Sequence, residues 1–263
     1  MSSSAEPQRG GAPREAATYD DVAVEELAAR LGVPRVLAYR EVGSTLDVAH
    51  RVAPEAAAGT LVLADEQTAG RGRHGRTWAS PAGAGVWLTL VERPADARAL
   101  DVLALRCGLY AAEALDALAG DRISLKWPND LLVGGCKLAG NLIETRWRGT
   151  APDWVAIGFG LNVTAPGVST ATALLAGVTR VAALEAVVPA LRRAAAASRH
   201  LDAGELERWA SRDSAVGRTV TTPSPGTVQG ISADGELTIR LADGLTRRHR
   251  TGSITFAEPL SCS

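Results

Sequence analysis

Lys126-Trp127-Pro128-Asn129-Asp130, followed after Leu131 to Gly135 by Lys137-Leu138-Ala139-Gly140 and the apolar run Asn141 to Thr145, is the stretch on which the reading of this chain turns. Two lysines, an amide and a carboxylate fall within about one β-hairpin's length. A hairpin there brings cationic groups, an amide and a metal-binding oxygen to one place. Upstream lies a second charged stretch, Gln67-Thr68-Ala69-Gly70-Arg71-Gly72-Arg73-His74-Gly75-Arg76-Thr77-Trp78, which continues through Ser80-Pro81 to Gly83 and Gly85. Arginines alternate with glycines between the apolar runs Thr60 to Ala64 and Val86 to Val91, a pattern that describes a flexible cationic loop joining two strands. Glycine lets the backbone approach a ligand and adopt φ > 0, and each guanidinium presents a fixed fork of donors suited to phosphate or carboxylate. The competing account is a solvated basic turn, and the loop alone does not choose between the two.

A chain of 263 residues with 46% apolar content has room for one large domain and a small one. The formal net charge of -1 makes the basic character local, which argues against general capture of DNA or of an anionic membrane. No apolar run approaches the roughly 18 residues of a membrane-spanning candidate, and the N-terminus shows no signal-peptide apolar region. A cytoplasmic protein is expected. Cys107, Cys136 and Cys262 are scattered without metal-ligand spacing, so reduced structural thiols are expected. The alternative is a Cys136 thiol activated by its neighbour Lys137.

Residues 1–18 are rich in Ser, Gly, Pro, Arg and Glu without apolar periodicity and are expected to be disordered. Asp20 to Leu31 has helical spacing behind an Asp cap. Val36 to Val42 reads as a strand entering Gly43-Ser44-Thr45, with Ser44 as N-cap of a helix from Leu46 to about Val52. Leu100 to Leu118 is a long helix packing on a sheet. Ile123 to Trp127 and Trp154 to Ile157 read as strands, the latter leading into Gly158-Phe159-Gly160-Leu161-Asn162-Val163. Val181 to Trp209 supplies two helices with a break near Leu201-Asp202-Ala203-Gly204. From Val216 the pattern changes to short strands, Thr219 to Thr221, Gly226 to Ser232, Glu236 to Leu241 and Thr246 to His249, with hairpin turns at Asp234-Gly235 and Asp243-Gly244. Arg247, Arg248, His249 and Arg250 read as exposed strand charges, the alternative being contact with substrate or partner. The expected fold class is α+β, a mixed β-sheet flanked by helices in 19–213 and a small β-barrel in 214–263.

Three blocks, GRGRHGRTW, KWPNDLL with KLAGNLIE, and GFGLNV, occur in the order and approximate spacing of biotin protein ligases, and the chain resembles that family from about Val36 to Phe256. The resemblance implies a class II synthetase-like biotin/lipoate ligase domain with an SH3-like C-terminal barrel, and a two-step reaction on ATP and biotin. Biotin carboxylate attacks the α-phosphorus of ATP to give biotinoyl-AMP and pyrophosphate, and a lysine of an acceptor protein then displaces AMP. It places Ser44, Thr45, Gln67, Gly70, Arg71, Gly72, Arg73, Gly75 and Lys137 at biotin. Arg73, Arg76, Trp78, Lys126, Asn129, Asp130 and Asn162 go to ATP. Gln67 would bond the ureido group, since an amide donates and accepts at once. Arg71, Arg73, Lys137 and Asp130 form the implied catalytic set, because two anions must be brought together. Asp130, with Asn129 or Asn162, would hold Mg2+, or Asp130 would accept the proton of the incoming lysine. Two positions depart from the family pattern, Leu46 in place of an Asn after Ser44-Thr45 and Phe159 in place of a small aliphatic near adenine.

The implied partner is the biotin carboxyl carrier domain of an acyl-CoA or pyruvate carboxylase, bound by a monomer or weak homodimer. No membrane association is expected, and no DNA binding either, because the sequence ahead of Val36 has no room for a winged helix-turn-helix. The rival functions are a lipoate or octanoate ligase or transferase of the same fold, and a non-catalytic biotin or nucleotide sensor.

Overall fold

A computed structural model describes residues 14–262, except 95 and 198. In chain order the elements are β1 (Glu15–Ala16), β2 (Thr18–Tyr19), β3 (Val22–Ala23), α1 (Val24–Leu31), β4 (Val36–Val42), α2 (Thr45–Val52), β5 (Thr60–Gln67), β6 (Gly85–Glu92), α3 (Leu100–Ala119), β7 (Ser124–Lys126), β8 (Asp130–Val133), β9 (Cys136–Arg148), β10 (Ala151–Asn162), α4 (Arg180–Ala196) and α5 (Ala203–Ala210). Five more strands follow: β11 (Thr219–Thr222), β12 (Gly226–Ile231), β13 (Leu237–Arg240), β14 (Thr246–His249) and β15 (Thr255–Phe256).

Eight strands form one sheet in the order β1-β4-β5-β6-β10-β9-β8-β7. Only β4 and β5 run parallel, joined by the crossover helix α2; the other neighbours are antiparallel. Side chains alternate across a strand, and both faces of this sheet are apolar. Leu61, Leu63, Leu88, Leu90, Val155, Ile157, Phe159 and Leu161 join the larger core with α3 and α4. Val62, Ala64, Val91 and Ala156 face the other way and pack with Leu46, Val48 and Ala49 of α2. Along β10 this second face runs from Trp154 and Ala156 to Gly158 and Gly160. The loss of side chains hollows the sheet beside α2.

A bulge fixes what enters that hollow. Leu131 pairs with Ala139 but Leu132 pairs with Lys137, so one residue of β9 is extra. Leu138 and Ala139 consequently both lie in the core, and Lys137 is returned to the hollow face. Bulges commonly re-aim a side chain beside a site in this way.

Three expectations are corrected. Residues 1–13 lie outside the described residues, but the tail expected to 18 is structured from β1, where Glu15 and Ala16 pair with Tyr39 and Ala38. The first helix starts at Val24 rather than Asp20, because Asp20 and Asp21 take positive φ in the turn of the β2-β3 hairpin. The Asp20 carboxylate receives Arg180 Nε at 3.0 Å instead of capping a helix. Finally, the C-terminal strands form an open antiparallel sheet, β14-β13-β12-β11-β15. Among the described residues no pairing joins β14 to β15, so the small β unit is present but is not a closed barrel. Its Val220, Val228, Leu237, Ile239 and Phe256 share the larger core with α3 and Trp127, and Trp127 Nε1 donates to Gly235 O at 3.0 Å. Among the described residues no helix is long and apolar enough to cross a membrane.

One ion pair is sealed inside the helical layer. Arg106 of α3 and Glu205 of α5 are 1% and 3% exposed at their side chains. Glu205 accepts from Arg106 Nε and Nη2 at 2.7 and 2.9 Å and from Tyr110 Oη at 2.7 Å. Burial would raise the carboxyl, but bonds from Arg106, Tyr110 and the Asp202 backbone outweigh it and hold its pKa low. A lowered folded pKa contributes stability above the ordinary Glu value of about 4.3, and that contribution is lost as pH falls through the folded value. Glu205→Ala should therefore cost about 3–5 kcal/mol, seen as a melting temperature lower by roughly 6–20 °C. Glu205→Gln should flatten the acid limb of stability against pH; an unchanged limb would show that this pair is not what titrates.

Candidate active site

The hollow is a cavity of about 570 Å3, within the usual range of about 300–1,000 Å3 for small-molecule sites. Its floor is glycine. A Cβ on Gly160 would lie 2.6 Å from the Trp78 indole, and one on Gly140 would meet Trp78, Asp130 and Lys137 at 3.3–3.4 Å. Trp78 therefore lies flat on the β9-β10 pair because those positions carry no side chain. Leu46 covers Gly158 in the same manner, at 3.2 Å from a Cβ there.

One end of the cavity is a hydrogen-bonded amide. Gln67 Oε1 accepts from the Thr45 backbone N–H at 2.9 Å and from Thr45 Oγ1 at 3.1 Å. Gln67 Nε2 donates to Ser80 Oγ at 2.8 Å, and Thr89 Oγ1 donates to Thr45 Oγ1 at 2.9 Å. Ser44 caps α2 by accepting from Leu46 N at 3.3 Å. The other end is cationic. Arg71, Arg73, Arg76, Lys126 and Lys137 line the cavity, and among the described residues Asp130 is the one carboxylate in that lining. Lys137 Nζ sits 2.7 Å from Asp130 Oδ1 and 4.9 Å above the Trp78 ring.

The Gly/Arg loop is a tight hairpin rather than an open flap. Trp78 N donates to Gly70 O at 2.9 Å, Gly72 N to Arg76 O at 2.7 Å and Arg76 N to Arg73 O at 3.2 Å. Arg73 spans the cavity mouth, with Nη1 donating to Asn129 Oδ1 at 3.4 Å and to Gly252 O at 3.0 Å. Asn129 Nδ2 donates to Asn141 O at 2.8 Å. Arg71 turns outward to Asp47 Oδ1 at 3.0 Å and Glu144 Oε2 at 3.1 Å. Burial lowers the pKa of Arg73, partly offset by Asp130. Burial also lowers that of Lys126, with Asp130 opposing and Lys137 and Arg76 adding to the effect. Burial in the cavity thus disfavours the charged forms of Arg73 and Lys126, and an anion beside them would relieve that cost.

Of the residues expected at the site, Ser44, Thr45, Gln67, Arg71, Gly72, Arg73, Arg76, Trp78, Lys126, Asn129, Asp130 and Lys137 are brought together in the cavity lining. Gly70, Gly75 and Asn162 support it from outside. A Cβ at Gly70 would lie 2.4 Å from Trp78 O, and Gly75 takes φ +71° at the hairpin tip. Asn162 Nδ2 donates to Lys137 O at 3.3 Å and Thr172 O at 3.0 Å, tying the Lys137 strand to the following loop. Phe159 is 2% exposed in the larger core, so its side chain points away from the floor formed by Gly158 and Gly160.

Sequence reasoning missed Ser80, Thr89, His50, Asp47 and Glu144. Glu144 was within reach, since it lies four residues beyond Gly140 on the same strand face. It also missed the wall formed by 253–256 and Pro259, Leu260 and Cys262. The expectation of reduced thiols fails for two of the three cysteines: Cys136 and Cys262 form a disulfide with Cα atoms 4.8 Å apart. The bond fastens the C-terminal tail to the hairpin bearing Lys137, and Gly135 leaves room for it, as a Cβ there would lie 2.3 Å from Ser261 O. Cys107 is free and buried, its thiol pushed up to about 12 by burial.

Residues 41–162 match the model of the biotin/lipoate A/B protein ligase family. The chain is 36% identical over 225 residues to the biotin--[acetyl-CoA-carboxylase] ligase of Paracoccus denitrificans, covering 75% of this chain and 90% of that one. The chain belongs to the biotin/lipoate A/B protein ligase family, among the biotin protein ligases. It is also 41% identical over 130 residues to the bifunctional ligase/repressor BirA of Bacillus spizizenii, a match covering 48% of this chain and 40% of that relative's length. Biotin protein ligase from Aquifex aeolicus in complex with biotin and ATP superposes with a TM-score of 0.66 at 25% identity, over 84% of this chain and 98% of that one. The blocks that carried the resemblance are the ones that fold into the cavity.

Non-reducing digestion should yield one cross-linked peptide pair holding Cys136 and Cys262, with Cys107 alkylated only after denaturation. Alkylation of Cys136 and Cys262 without reductant would show that the tail is not fastened at the site.

Proposed function

We propose that the chain is an ATP-dependent biotin protein ligase, which activates biotin as biotinoyl-5'-AMP and transfers it to a lysine of a biotin carboxyl carrier domain. The observation that carries this reading is the pairing, in one cavity, of an amide head-group site at Gln67-Thr45 with five cations set against one carboxylate. An extended acid would be recognised by its polar head at one end and its carboxylate at the other. In the first step a biotin carboxylate oxygen attacks the α-phosphorus, and the bond to the β-phosphate bridging oxygen breaks with loss of pyrophosphate. Arg73 and Lys137 line the same cavity and would offset the repulsion between the two anions. A charge-assisted hydrogen bond contributes on the order of 1.5–3 kcal/mol. Trp78, Lys126, Arg76 and Asn129 line the same cavity and would serve the nucleotide.

In the second step the acceptor amine attacks the acyl carbon, the bond to AMP breaks, and an amide forms as the amine loses a proton. Asp130 is the carboxylate within the cavity that can take that proton. The family reaction uses Mg2+ with ATP, and the residues fit it modestly. Asp130 with Asn129 would supply one or two hard oxygens to an ion already held by the triphosphate, where it would screen phosphate charge. Asn162, which bonds Lys137 O, would serve the nucleotide through that strand. Arg73, bonded across the mouth to Asn129 and Gly252, keeps water from the mixed anhydride. The division at 213/214, a carboxylase carrier domain as acceptor, action in the cytoplasm, and work as a monomer or weak homodimer without DNA belong to the same proposal.

Pyrophosphate release should require biotin, ATP and Mg2+ together, with lipoate and octanoate inactive and amide formation requiring the carrier domain. Release with lipoate but not biotin, or binding of biotin without release, would overturn the reading in favour of a lipoate enzyme or a sensor. Lys137→Met should lower the first step about 100- to 1000-fold. Arg73→Gly should let labelled biotinoyl-AMP appear free after gel filtration; retention as tight as in the unaltered protein would show that Arg73 is not the cover.

A further inference from the structure

Arg71 stands in the cavity lining, yet its guanidinium is already spent. Nη2 lies 3.0 Å from Asp47 Oδ1 on α2 and 3.1 Å from Glu144 Oε2 on β9. A cation shared by two carboxylates brings no surplus positive charge to a bound anion. The partners reach further back. Glu144 Oε2 also lies 2.7 Å from His50 Nε2, and His50 Nδ1 lies 3.3 Å from Trp154 Nε1. An indole N–H can only donate, so His50 Nδ1 must accept. The proton therefore sits on Nε2, which donates to Glu144. The chain of contacts runs from Trp154, 8% exposed in the smaller core, through His50 and Glu144 to the loop.

We infer that Trp154, His50 and Glu144, with Asp47, form a positioning relay that aims Arg71 and pins the base of the Gly/Arg hairpin to α2 and β9. Arg71 is then a positioning residue and not the neutraliser of carboxylate charge that the sequence suggests. That task falls to Arg73 and Lys137. The hairpin has two anchors of different character. Its tip is held by Arg73 at Asn129 and Gly252 O, where a ligand can intervene. Its base is held by Arg71 within an ionic cluster on the outer side, independent of any ligand. The backbone bridge between Arg71 and Thr77 carries that fixation across the hairpin, directly below Trp78.

One readout does not depend on the ligase reading. Arg71, Arg73 and Arg76 are tryptic sites, and brief trypsin treatment of the full chain followed by mass spectrometry reports how tightly the hairpin is held. Glu144→Ala and His50→Phe should raise cleavage after Arg73 and Arg76 about tenfold, a change equal to 1.4 kcal/mol and within the range for coupled neighbours. Asp47→Asn, at the exposed end, should change it in the same direction and less. The second readout rests on the proposed activity. Glu144→Ala and Arg71→Ala should each raise KM for biotin about tenfold with kcat and KM for ATP little changed, and the double variant should be no worse than Arg71→Ala alone. Glu144→Gln, which keeps an acceptor and the fold, should recover part of the loss.

Unchanged cleavage in Glu144→Ala, or multiplying effects in the double variant, would overturn the relay. If Glu144→Ala fails to fold, Glu144→Gln and Asp47→Asn decide by the same two readouts. An unaltered protein without biotin-dependent pyrophosphate release would overturn the ligase reading, and the proteolysis result would still decide the relay.

Discussion

Four cationic side chains that point into one cavity, Arg73, Arg76, Lys126 and Lys137, against the single carboxylate Asp130, set the constraint on which this structure depends. Like charges at close range repel, and burial deepens the cost of each charge. The fold meets that cost largely with the cavity's own lining. Arg73 is held by an amide oxygen and a carbonyl, Lys137 by Asp130 and the Trp78 face, and Lys126 rests 5.3 Å from the Phe256 ring. Of these three, only Lys137 has a carboxylate partner among the described residues; Arg73 and Lys126 are held by neutral groups, which are weaker partners than an anion. A cavity assembled in this way is poised for two negatively charged reactants, and the pKa directions of Arg73 and Lys126 record the same poise.

The second structural condition is the absence of side chains. Gly140, Gly158 and Gly160 form a bare patch on the β9-β10 pair, and Trp78 and Leu46 lie against it. Because the alternate, core-facing neighbours Ile157, Phe159 and Leu161 remain large, the same strand closes the core on one face and opens the site on the other. The bulge at Leu138 completes the arrangement by turning Lys137 inward. The disulfide then brings the C-terminal tail against this hairpin, so the small β unit supplies a wall of the site as well as a packing partner.

Much of this was legible in the residues. Most strands and helices from Val36 to Trp209 follow from apolar patterning, although β8 was not read as a strand of its own and β9 and β10 extend well beyond the runs Asn141 to Thr145 and Trp154 to Ile157. The two charged blocks fall in one cavity as their composition and the resemblance imply. What was not legible depends on three-dimensional proximity. Whether Arg71 faces the ligand or Asp47 and Glu144 is set by residues 24 positions before it and 73 after it, and no local pattern encodes that choice. The Cys136–Cys262 bond spans 126 residues, and a tail of Ser and Pro gives no sign of where it docks. The barrel expectation failed at closure, because alternating apolar strands and Asp-Gly turns specify hairpins but not whether the last edge meets the first.

Lys126 and Lys137 are the only lysines in the sequence, and both line the cavity. Lysine-selective isotope labelling therefore reports the site with two side-chain signals. The central claim is that this cavity is where two anions meet. It is tested most directly by NMR titration of the Lys126 ammonium in the free protein and with biotin plus a non-hydrolysable ATP analogue bound. The account predicts a pKa below the ordinary lysine value of about 10.4 when free and a rise when both ligands are present. Saturation by both ligands with the Lys126 titration unmoved would contradict it.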